Sequence, residues 1–183
     1  MVQLDTIVVH NYTMLMAYKD DLHLPQFPSD LTCEAARIDA ATLKNWSSRK
    51  PPAVFIAPNE RVTVGTRSFF NFSYRRVMQL ALTAELVALQ IPPREAAFMA
   101  AKFTDGDDIG REAGDLFKKN YTLLYVVGHE ACLINVPRNT PWVSLAGFSP
   151  WQKPASQIVL NINEIDGHVR QTLGIPVHER EFD

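Results

Sequence analysis

The chain has 183 residues, 46% of them apolar and 21% charged, with a net charge of −2 and two cysteines. This length suits one domain, or two small ones, with enough apolar side chains to build real cores. Cys33 and Cys132 lie far apart and in no metal-ligand spacing, which excludes a disulfide framework. The N-terminus lacks a signal-peptide pattern and no apolar run approaches a membrane span, so a soluble cytoplasmic protein is expected.

Residues 1–26 read as an N-terminal extension, with a strand-like run at Thr6–Val9 and a Met14–Tyr18 run that fits either state. Leu24-Pro25-Gln26-Phe27-Pro28 is an extended linker, because proline biases the preceding residue away from helix. Two short helices joined by a tight turn follow, over about 29–48. Asp39 is the expected N-cap of the second, with Ile38 as the apolar residue before it. Residues three and four apart share a helix face, so Thr42, Leu43 and Trp46 point one way, Trp46 into the core. Ala41, Lys44, Asn45 and Ser48 are left outward.

Lys50-Pro51-Pro52 stops this helix. Ala53–Ile56 and Arg61–Val64 read as short strands around a Pro58-Asn59-Glu60 turn, and Arg67–Phe72 continues the small sheet or packs beneath it. Ser73 is a plausible N-cap for a helix carrying Val77, Leu80, Ala81, Ala84, Val87 and Ala88. Leu82, Leu86 and Leu89 make that helix apolar on more than one face, hence well buried. Another helix starts at Ile91-Pro92-Pro93, where proline suits a first turn, and runs to about Phe103.

Asp105-Gly106-Asp107-Asp108 breaks the pattern. These aspartates lack the offsets of a calcium-binding loop and read as a solvated linker. Arg111–Lys119 fits a short helix or turn. Thr122–Val127 and Ala131–Val136 read as paired strands around Gly128-His129-Glu130. A loop from Pro137 to Pro154, carrying Trp142, Phe148 and Trp151, leads to a strand at Gln157–Ile162. A final helix covers about 163–173, before a loose tail.

Charge is segregated along the chain. From Ser29 to Arg76 there are eight basic and four acidic residues, a net +4, which leaves −6 on the remainder. A nucleic-acid-binding module joined to a different kind of unit has such an asymmetry. Two helices whose second carries an outward polar face, followed by a basic hairpin, form the winged helix-turn-helix arrangement, in which the second helix reads DNA. Lys44 is suited to guanine edges or phosphate, and Asn45 to adenine or phosphate. Arg49 and Lys50 at the helix end, and Arg61 and Arg67 flanking the hairpin, are candidate phosphate or minor-groove contacts. Arg75 and Arg76 are weaker candidates of the same kind.

On the two-helix unit, Thr42-Leu43-Lys44-Asn45-Trp46, the hairpin, Phe72-Ser73 and the helix pair running into Pro92-Pro93, residues 27–103 resemble the DNA-binding domain of MerR-type regulators. Phage small terminase subunits and excisionases use a similar element. The chain departs from the MerR pattern at three places. Arg37 stands where the turn often has glycine, so a left-handed conformation there costs roughly 1 kcal/mol. Phe70 stands at the wing arginine, with Arg67 displaced. No heptad run follows Asp105-Gly106, so the family's dimerisation helix and its metal or drug sensing are not implied.

The five histidines, His10, His23, His129, His168 and His178, form no metal-binding spacing, and Cys132, three residues after His129, sits in an apolar strand. No glycine-rich phosphate loop is present. The expected fold is therefore α+β: a winged helix-turn-helix with two further helices over 27–104, then a small α+β domain over 105–183 for dimerisation or for ligand or partner binding. The expected function is that of a sequence-specific, double-stranded-DNA-binding transcription regulator of bacterial or phage type. It would act as a homodimer, without cofactor, metal, enzymatic activity or membrane attachment, and an effector, small molecule or protein, is left open. The alternatives are a phage-type DNA-packaging or excision factor, and a protein-interaction module derived from a winged helix.

Overall fold

A computed structural model describes residues 22–106, 110–141 and 156–177. The expectations for residues 1–21, His10, Asp107, Asp108, Trp142, Phe148, Trp151 and His178 fall outside them. The described residues form a mixed α+β fold of five helices and two three-stranded antiparallel sheets. In chain order the elements are β1 (Phe27–Pro28), α1 (Ser29–Ala35), α2 (Ala40–Ser48), a 3-10 turn at Pro58–Glu60, β2 (Arg61–Val64), β3 (Arg67–Phe72), α3 (Tyr74–Ala88) and α4 (Pro93–Thr104). Then come β4 (Tyr121–Val127), β5 (Glu130–Val136), β6 (Ile158–Asn161) and α5 (Ile162–Leu173). None of the described helices is long and apolar enough to cross a membrane.

The first sheet has the order β1-β3-β2. β2 and β3 form a hairpin in which Arg61 faces Phe70 and Val64 faces Arg67, closed by Gly65-Thr66. Gly65 has φ +61°, a conformation that suits a residue without Cβ in a two-residue turn. Ala53–Ile56 is not a strand, contrary to expectation. The Ala53 and Val54 amides both donate to the Trp46 carbonyl, at 2.8 and 3.2 Å, so this stretch caps the end of α2 and has no strand partner. Val54 is buried there, which accounts for its apolar character.

α3 begins at its expected cap, with the Ser73 hydroxyl accepting from the Arg76 amide at 3.3 Å. Val77, Met78, Leu80, Leu82 and Leu86 are completely buried. The helix is covered by α4 and also by α1 and α5, which explains why its apolar residues do not keep to one stripe. Burial of each leucine here contributes about 1.5–3 kcal/mol.

α4 ends at Thr104, and the following turn is organised by Arg111 rather than by a helix. Its buried Nη1 donates to the carbonyls of Phe103, Glu112 and Asp115, each at 2.9 Å. A guanidinium placed on the last carbonyls of a helix satisfies orphan acceptors and complements the helix dipole.

The second sheet has the order β5-β4-β6. β4 is its central strand and is buried on both faces. Leu124 and Val126 face α5 and join an apolar core that runs from Phe27 to Ile175 without interruption. Leu123 and Tyr125 point to the opposite face, where they pack with Ile134 and Val136. α5 lies between this sheet and the earlier helices α1 and α3.

Candidate nucleic-acid interface

The turn between α1 and α2 is set by backbone bonds. The Ile38 amide donates to the Cys33 carbonyl at 3.0 Å, and the Arg37 amide to Glu34 at 3.1 Å. This is a Schellman ending, and it requires a left-handed residue between the helices. That residue is Arg37, with φ +54°, so the turn forms despite the absence of glycine. The Arg37 guanidinium lies 3.6 Å from the Glu85 carboxylate on α3. Cys33, on α1, is buried, and burial raises its thiol pKa above the usual value, keeping it a protonated, inert packing group.

α2 starts at Asp39, whose carboxylate accepts from the Thr42 amide at 2.6 Å. These hydrogen bonds hold the carboxyl below its ordinary pKa. Leu43 and Trp46, each 6% exposed, are the buried face of the helix. Ala41, Lys44, Asn45 and Ser48 are exposed, as the spacing predicts, and Arg49 and Lys50 are exposed just beyond the last turn.

Across from α2 stands the hairpin, and between them runs a groove of about 550 Å³ lined by Lys44, Ser47, Ser48, Phe55, Arg61 and Phe70 among others. The Arg61 guanidinium lies 5.4 Å from the centroid of the Phe70 ring, which fixes the charge over the groove wall. Phe70 in turn stacks on buried Phe72, with centroids 6.1 Å apart. The hydroxyls of Thr63 and Ser68 pair across the strands at 3.1 Å. The strand register sets Arg61 at the base of the hairpin and Arg67 at its tip.

Lys44, Ser48 and Arg61 thus share one groove. Ala41 and Asn45 share the exposed face of α2, and Arg49 and Lys50 extend it. Arg75 and Arg76 do not belong to this surface. Arg76 Nε lies 3.2 Å from both oxygens of Glu60, which is only 3% exposed, and Arg75 donates to the Ala113 carbonyl at 3.0 Å. Both guanidinium groups are engaged within the fold. Phe55 was missed as a surface residue: it lines the groove and is 64% exposed. Its β-type neighbours gave no sign of this, because an apolar residue in a strand-like run reads as core.

Elsewhere, His129 Nδ1 lies 2.8 Å from the Glu95 carboxylate, joining the β4–β5 turn to α4 at the surface. Among the described residues no group of three or more histidine, cysteine, aspartate or glutamate side chains is placed to hold a metal ion. Comparison with protein-family models, curated proteins and solved structures finds no match to this chain.

Proposed function

We propose that the chain is a sequence-specific DNA-binding protein acting as a transcription regulator. In this reading α1 and α2 are a helix-turn-helix, β2 and β3 its wing, and the unit is related in design to that of MerR-type regulators. α2 enters the major groove with Lys44 and Asn45 toward base edges, while Ala41 and Ser48 allow close approach. Arg49, Lys50, Arg61 and Arg67 take phosphates or the neighbouring minor groove. Two copies on paired half-sites would supply the specificity that one short helix lacks.

One observation carries the reading. The exposed polar face of α2 and the Arg61 end of the hairpin border the same groove, with basic side chains on both sides. Selection of genomic duplex fragments by purified protein at two salt concentrations tests it. Enrichment of a common sequence that weakens steeply with salt is expected. No enrichment at low salt refutes it.

The exposure of Phe55 favours a second reading, in which the groove binds an apolar segment of a protein partner. Under that reading Phe55→Ser abolishes the cellular role, whereas Lys44→Ala, Asn45→Ala and Arg49→Ala leave it intact.

A further inference from the structure

The hairpin has a second face, turned away from the α2 groove. Alternation along its strands puts Arg61, Thr63, Ser68 and Phe70 on the groove side and Val62, Val64 and Phe69 on the other. These three apolar side chains are 37, 65 and 50% exposed. Val62 and Phe69 are cross-strand partners, and Val64 follows on the same face, so the three form one patch. Contiguous exposed apolar surface marks an interaction site more often than scattered single residues do.

β2 is also an edge strand. The order β1-β3-β2 leaves no described strand on its outer side, and all four of its residues are exposed. In a hairpin closed by two residues the flanking pair, Val64 and Arg67, exchanges backbone bonds, and pairs alternate from there. The N–H and C=O of Thr63 therefore point outward, away from β3. The Thr63 and Ser68 hydroxyls, 3.1 Å apart, fit the closer spacing of a pair without backbone bonds. Native edges are commonly blunted by a lysine, a proline or a bulge. Between Arg61 and Gly65 β2 has none of these, and its register with β3 is unbroken.

We propose that β2 pairs antiparallel with β2 of a second copy of this chain, Thr63 opposite Thr63. This register sets Val62 of each copy beside Val64 of the other and merges the two apolar patches, whereas a slip by one residue turns one patch to the opposite face. Charge permits it as well. Arg61 falls opposite Gly65, and the two Arg61 residues stand roughly 13 Å apart along the strands, beyond the screening length of about 8 Å. An unrelated extended peptide can pair with the same edge, but a second copy also supplies a dyad. That dyad runs through the Thr63 pair, normal to the sheet, so both α2 grooves open on one side, as paired half-sites on a duplex require. A four-residue strand gives a contact at the small end of protein interfaces, so the dimer is weak and concentration-dependent.

Sedimentation equilibrium of the full chain without DNA, from low micromolar to millimolar concentration, tests the pairing. Wild type is expected to pass from monomer to dimer and to stop there, because the dimer uses up both β2 edges. Thr63→Pro deletes the outward N–H while leaving the bonds of β2 to β3, and Val64→Glu brings two carboxylates into the merged patch. Each is expected to weaken the dimer at least tenfold. Thr63→Ala loses the hydroxyl contact but keeps the N–H, so it retains the dimer and controls for effects on the hairpin itself. A wild-type chain that stays monomeric, association that grows past a dimer, or a dimer undiminished in the folded proline and glutamate variants would overturn the proposal. A monomer that still binds duplex DNA overturns this pairing alone, and a dimer that binds none overturns only the DNA reading.

Discussion

The Tyr74 hydroxyl, in the first turn of α3, donates to the Asp166 carboxylate on α5, 92 residues further along the chain. Arg170 Nε lies 3.1 and 3.0 Å from the two oxygens of the same carboxylate, and its guanidinium stacks 4.8 Å above the Tyr74 ring. All three side chains are buried. The trio fastens the last helix to the helix on which the N-terminal half is built.

Removal of the carboxylate leaves a buried guanidinium without its counter-charge. Asp166→Ala is therefore expected to lower the unfolding free energy by about 3–5 kcal/mol, and Tyr74→Phe by about 1–3 kcal/mol, in urea titrations. Burial, and then the negative charge of Asp166, hold the Tyr74 hydroxyl well above its ordinary pKa. A raised folded-state pKa means that the proton is bound more tightly in the native protein. The stabilisation is thus fully present below the unfolded value, about 10, and is lost as pH rises through the folded one. Wild type should lose stability above pH 10 more steeply than Tyr74→Phe.

Arg76 separates structural from binding arginines. Its partner Glu60 also accepts from the Ala57 amide at 2.8 Å and is almost fully buried. Arg76→Ala strands that carboxylate and is expected to cost about 3–5 kcal/mol. Lys44→Ala, at an exposed helix site, is expected to change stability by less than about 0.5 kcal/mol. Thermal or urea unfolding of the two variants side by side checks this.

Arg37 holds a left-handed backbone with a Cβ in place. Arg37→Gly removes the steric cost of about 1 kcal/mol but also a surface ion pair worth about 0–1 kcal/mol, so its stability should match or slightly exceed wild type. Arg37→Val keeps the Cβ, adds branching and loses the pair, and is expected to destabilise by about 1–2 kcal/mol. Urea midpoints distinguish the two.

Asp39 makes the start of α2 sensitive to acid. Its folded-state pKa is lowered by the hydrogen bonds from Thr42. A lowered value means that its stabilisation is complete above the unfolded pKa, about 3.9, and disappears as pH falls through the folded one. Asp39→Asn keeps a good cap but removes the charge, so the difference in stability between wild type and this variant should shrink below pH 4. Urea midpoints measured from pH 7 to pH 2 follow this.

Local signals in the sequence carried the helices well. Asp39 and Ser73 both cap where their side-chain chemistry indicates, and Leu43 and Trp46 are buried as their spacing implies. Their β-branched and aromatic runs mark Arg61–Val64 and Arg67–Phe72 as strands, but the sequence puts the turn at Pro58-Asn59-Glu60, whereas the hairpin closes at Gly65-Thr66. Val54 and Phe55 show where such signals fail. The bonds from residues 53 and 54 to the Trp46 carbonyl are a tertiary arrangement that competes with strand pairing, and no local pattern encodes it. The fates of Arg75 and Arg76 were equally hidden, because whether an arginine meets solvent or a buried glutamate depends on what folds against it. The Tyr74–Asp166–Arg170 trio joins segments about ninety residues apart, beyond the reach of spacing arguments.

The salt dependence of duplex DNA binding tests the central claim most directly. Wild type and a Lys44→Ala, Arg49→Ala, Arg61→Ala triple variant should be titrated against a selected fragment over a series of salt concentrations. The expected result is a straight line of log binding constant against log salt for wild type. Its slope should become shallower by about 0.9 for each phosphate contact removed in the triple variant, at unchanged stability. Wild-type protein that binds no duplex at low salt, or a folded triple variant that binds with the wild-type affinity and slope, would contradict the assignment of this surface to DNA.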